Sequence, residues 1–128
     1  MSTDERLRAH PRERLAAPVQ RIDLPRAAAL LRAEPHAPSA GHRQVTLVRR
    51  GPFSLILFLF EAGAVLKEHR TDGEVTIHVL SGRLAVTADG HSSELGAGGI
   101  VALAPGEAHE VRALEASEML LTVCMSHA

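Results

Sequence analysis

Histidine is the side chain in this sequence with the most chemical reach, and eight are present among 128 residues. His69 stands in the polar stretch Lys67-Glu68-His69-Arg70, and His109 follows Pro105-Gly106 between Glu107 and Glu110. Imidazoles and carboxylates bind divalent metals, but a tight site needs three or four such groups converging. Two His and one carboxylate suffice for a non-haem iron that keeps open positions. Glu74 and His78 are four residues apart, so on a strand they would share one face and could offer a third ligand. His10, His36, His42, His91 and His127 read as solvated side chains. Nucleophilic chemistry has no motif: there is no Gly-x-Ser-x-Gly and no phosphate-binding Gly-rich loop before a helix. The one cysteine, Cys124, lies in an apolar run near the C-terminus and reads as a core residue rather than a catalytic thiol.

The elements that must position these groups are mostly strands. Residues 45–48, 53–60, 74–80, 83–88, 91–95, 100–104, 109–114 and 118–125 are short apolar or alternating runs. They are separated by Gly, Pro and Asp-Gly turns such as Asp89-Gly90. Eight or nine strands at this spacing with no long helix among them predict an all-β sandwich or barrel over residues 42–128. Residues 53–60 are apolar on both faces, which predicts a strand covered on both sides. Residues 1–41 differ, holding five of the seven prolines and seven arginines. Within this arm, residues 6–17 could form a short helix broken by Pro11. Residues 23–32 make a better one, with Asp23 as cap and Pro25 in the first turn. The arm is expected to be solvated or to pack on a neighbouring subunit.

Gly63, His69 and Gly82, followed by Gly98, Pro105, Gly106 and His109, resemble the two motifs of the cupin superfamily. These are RmlC-like jelly-roll barrels, or double-stranded β-helices, that often hold one metal ion. The likeness covers roughly residues 45–125. It departs from the pattern where Thr71 replaces the second His of the first motif and Val75 its Glu, with Glu74 one place early; Pro105 is one place late. The resemblance implies that His69 and His109 meet at the open end of the barrel. It also points Val75, Ile77 and Val79 inward, and Glu74, Thr76 and His78 outward unless a bulge near Asp72-Gly73 reverses them. The implied cofactor is one divalent ion (Fe, Mn, Ni or Zn) on His69 and His109, with His78 or Glu74 as the third ligand if such a bulge turns that face inward. The alternative is no metal, with two cavity histidines bonded to water or backbone.

Two functions from different classes follow. One is binding of a small organic ligand without turnover, against His69, His109, Val75 and Ile77. The other is a metal-dependent dioxygenase or isomerase acting on a small organic acid or phenol. Lys67, Glu68 and Arg70 could meet an anionic ligand at the mouth, and the basic arm could serve a third role in assembly. A net charge of -1 and 2% aromatics argue against a nucleic-acid partner. The longest apolar run is far short of the ~20 residues a membrane helix needs. With no apolar leader segment and no possible intrachain disulfide, a cytoplasmic protein is expected. Strand edges and the doubly apolar segment 53–60 predict a homodimer.

Overall fold

The computed structural model describes residues 15–126, so His10, His127 and most of the short helix expected over residues 6–17 lie outside the description. Helix α1 spans Leu24–Arg32. Asp23 accepts a hydrogen bond from the Arg26 backbone N–H at 3.0 Å, satisfying one of the orphan donors of the first turn, and Pro25 occupies that turn as expected.

Nine strands follow: β1 His42–Arg50, β2 Phe53–Phe60, β3 Val65–His69, β4 Gly73–Ser81, β5 Arg83–Ala88, β6 His91–Gly96, β7 Ile100–Leu103, β8 His109–Ala113 and β9 Ser117–Met125. They form two antiparallel sheets, ordered β1-β2-β9-β4-β7 and β3-β8-β5-β6; this is the all-β sandwich that the turn spacing predicts, in the jelly-roll form that the resemblance implies. Their inner faces bury Phe58, Ile77, Val79, Leu84, Val86, Val111 and Met119 in one core. Each fully buried side chain of this kind contributes about 1.5–3 kcal/mol.

For residues 24–32 the expectation of a solvated or intersubunit arm is corrected by α1. Its Ala28 and Leu31 pack on Leu57 and Leu59, the outward residues of β2, in a second apolar cluster. Arg32 fastens the helix end to β9 through a 2.9 Å ion pair with Glu118. The outer face of residues 53–60 is therefore covered in part by the chain's own helix. Alternation along β2 leaves Leu57 and Leu59 opposite to the core, and an amphipathic helix next to it in sequence can reach them.

One turn shows why the glycine pattern belongs to the fold. Gly82 has φ +83°, and a Cβ there would collide with Ser117 Oγ, whose hydroxyl hydrogen-bonds across the same junction to Arg83. Only glycine fits both the left-handed backbone and the close approach.

A candidate ligand cavity

β3 is not among the strands that the spacing predicts, and its sequence hides it: the polar stretch Lys67, Glu68 and His69 shows no alternation. The pairing explains how they become a strand. Leu66 lies opposite Val111 and His69 opposite His109, so three steps on β3 match two on β8. A bulge at Lys67-Glu68 absorbs the extra residue. Side chains an odd number apart normally face opposite ways, and the bulge lets both Leu66 and His69 face the barrel interior.

The two imidazoles that the sequence singled out do converge. The His69 and His109 rings meet edge to face with centroids 4.2 Å apart. His109 is buried, whereas His69 is exposed. Each ring is held by the same local device: Nδ1–H of His69 donates to the Lys67 carbonyl at 3.1 Å, and Nδ1–H of His109 to the Glu107 carbonyl at 3.0 Å. Nε2 of each ring is the atom left for a ligand. The loops carrying them are clamped together, since Arg70 donates to the Gly106 carbonyl and the Gly106 N–H to the Thr71 carbonyl, both at 2.9 Å. Thr71, standing where the family motif has its second His, thus serves the loop through its backbone.

Both rings line a cavity of about 250 Å³. Its floor is apolar, built from Phe58, Ile77, Val111, Met119 and Leu121 on four strands. Its polar residues are Gln44, Lys67 and the two histidines, and no carboxylate lines it among the described residues. Gln44 is on β1 and Lys67 and His69 on β3, the edge strands of the two sheets. All three are exposed, so the cavity opens to solvent between those edges. A larger groove of about 540 Å³ lies between α1 and the barrel, but its walls carry both signs of charge and no histidine.

The remaining expected site residues fall elsewhere. Ile77 lines the cavity; Val75 is buried in the core beside it without lining it. His78, expected as a third metal ligand, is on the outer face of β4: its neighbours Ile77 and Val79 are fully buried inward, and it pairs with Ile100 and Leu120. Glu74 shares that outward parity and is exposed opposite Cys124. The bulge that would have turned both inward occurs on β3 instead, in the service of His69. Cys124 is exposed rather than core, because its parity on β9 places it on the outer face. Gln44 and Met119 were missed, although each sits in a strand whose alternation would have turned it inward.

A resident metal is poorly served by this donor set. Among the described residues no three His, Cys, Asp or Glu side chains come together to hold an ion, and two imidazoles are too few for a tight divalent site.

The fold has clear relatives. A conserved Streptococcus pyogenes protein of unknown function is 27% identical, superposing with a TM-score of 0.65 over 70% of this chain and 78% of that one. A cupin superfamily protein from Desulfitobacterium hafniense is 19% identical, with a TM-score of 0.71 over 88% of this chain and 99% of its own. A predicted oxalate decarboxylase from Thermotoga maritima is 18% identical, with a TM-score of 0.59 over 66% and 80% of the two chains. No curated protein matches the sequence. Among the described residues no helix is long and apolar enough to cross a membrane. The family model of the cupin domain matches residues 56–125, more than half of the chain, and the protein belongs to that family.

Proposed function

We propose that the protein binds a small organic molecule in the barrel cavity, anchored by His69 and His109, without turnover and without a resident metal. The observation that carries this reading is the pair of imidazoles whose Nδ1–H groups are occupied by backbone carbonyls, at the edge of a cavity with an apolar floor. The volume lies just under the ~300–1,000 Å³ of drug-sized pockets, which favours a compact occupant. An apolar floor with few fixed polar groups is the usual composition of a binding site. The test is a fragment screen by thermal shift, followed by NMR of the histidine rings. Binders are expected to shift the ring signals of His69 and His109 and to lose affinity in His69→Ala and His109→Ala. Binders that leave both rings unmoved and both variants unaffected would sink the reading.

A second copy of the chain is the proposed partner, and the cytoplasm the proposed compartment. Helix α1 covers only one end of the outer face of the five-stranded sheet. Toward the other end Phe53 is 37% exposed and Ile100, on edge strand β7, 58%. Such a face beside an open strand edge favours self-association. Sedimentation at micromolar concentration is expected to give twice the chain mass, and a monomer would refute it. The exposed free thiol of Cys124 fits a reducing compartment.

A further inference from the structure

The imidazole of His42 has a curious placement. It faces the barrel interior on β1, packed against Phe58 and Phe60 with ring centroids 5.7 and 6.0 Å away. Nδ1 is buried and has no hydrogen-bond partner. Among the described residues the ring's one side-chain hydrogen bond is from Nε2–H to Oε1 of Gln44, at 3.2 Å. A phenyl ring would pack in this place without leaving a buried nitrogen unsatisfied, so what the imidazole adds is its hold on Gln44. With Oε1 occupied, the amide of Gln44 keeps its NH₂ group for something else. Gln44 lines the mouth of the cavity, and Lys67 stands on the facing lip.

Lys67 makes no ion pair among the described residues, and no carboxylate lines the cavity with it. Among the described residues the cavity lining therefore offers a cation and an amide donor, and no negative charge. Charge and donors of this kind are complementary to a carboxylate. The wall behind them is apolar.

From this juxtaposition we infer that the ligand is a small carboxylic acid with an apolar body. Its carboxylate is held at the mouth between Lys67 and the Gln44 amide, and its body lies over Phe58, Ile77 and Met119. His42 is a positioning residue that fixes which end of the Gln44 amide faces the ligand. The inference rests on the cavity reading proposed above and adds the ligand's chemical class and the residues that select it.

Hexanoate and its neutral isostere hexanamide are suitable probes, titrated into the full-length protein and followed by NMR of backbone amides and histidine rings. Hexanoate is expected to bind more tightly than hexanamide, with shifts at Gln44, Lys67, His69 and His109. Lys67→Gln should cut the hexanoate-to-hexanamide affinity ratio roughly fivefold, the effect of one exposed charge pair at low salt. His42→Phe should lower the same ratio while leaving the thermal midpoint nearly unchanged, which a merely structural role for His42 would not produce. Equal affinities for the two probes with shifts at both histidines would overturn the carboxylate assignment and leave the cavity reading standing. Shifts absent from both histidines with either probe would overturn both. A ratio unchanged in His42→Phe would overturn the positioning role.

Discussion

His69 on β3 and His109 on β8 lie directly across the strand pair from each other, their rings 4.2 Å apart between centroids, and each is locked by the carbonyl two residues before it. The repeated i to i−2 hydrogen bond sets the same tautomer on both rings. Nitrogen NMR should therefore show protonated Nδ1 and unprotonated Nε2 at both histidines in their neutral form. A protonated Nε2 on neutral His109 would contradict this arrangement.

The metal content of the protein tests the cavity reading directly. Protein purified without a tag should carry less than about a tenth of an equivalent of Fe, Mn, Ni or Zn, because two imidazoles are a weak set. A chelator should leave the thermal midpoint where it was. His78→Ala should change neither metal content nor ligand affinity, since its ring is outside the barrel; a drop in either would bring His78 back as a ligand.

Much of this site was legible in the sequence, and the limits of legibility are physical. The two histidines and the turn glycines announce themselves by spacing, because a jelly roll reverses direction at fixed intervals. Strand alternation puts Val75, Ile77 and Val79 on one face of β4 and His78 on the other, but which face turns inward comes from the resemblance, and a bulge near Asp72-Gly73 would have reversed it. The bulge at Lys67-Glu68 follows from neither, because it is a choice of register made by the partner strand. Sequence also could not say that α1 would cover Leu57 and Leu59, since an apolar outer face accepts a helix or a second subunit equally well. Gln44 was hidden for another reason: its role depends on His42, and neither residue carries a family motif.

The helix is attached by packing more than by charge. Leu31→Ala should cost about 2–4 kcal/mol, as expected for a fully buried leucine. Removing the Asp23 cap should cost about 1 kcal/mol. Breaking the Arg32–Glu118 pair should cost at most about 1 kcal/mol, because its arginine is 60% exposed. Urea denaturation checks the order, and an ion-pair variant as damaging as Leu31→Ala would show that α1 is held differently.

Two glycines with the same backbone conformation should respond differently to alanine. Gly82 and Gly98 have φ +83° and +88°, so both pay conformational strain of about 1 kcal/mol when a Cβ is added. At Gly98 nothing lies within 4 Å, whereas at Gly82 the new methyl meets Ser117. Gly82→Ala should therefore lose clearly more stability than Gly98→Ala, by about 1–3 kcal/mol. Equal midpoints in urea would mean that the β4–β5 corner yields to admit the methyl.

Deleting Glu68 isolates the contribution of Lys67 from that of the histidine pair. With one residue fewer, two steps on β3 match two on β8, and regular alternation runs Leu66 inward, Lys67 outward, His69 inward. The bulge vanishes while His69 stays opposite His109. The deletion variant should fold, keep the ring contact visible as histidine cross-peaks, and still bind neutral probes such as hexanamide. Its preference for hexanoate should fall as it does in Lys67→Gln, because the ammonium has been turned away from the mouth. A variant in which the His69–His109 contact is lost would mean that the bulge positions His69 itself, rather than merely accommodating an extra residue.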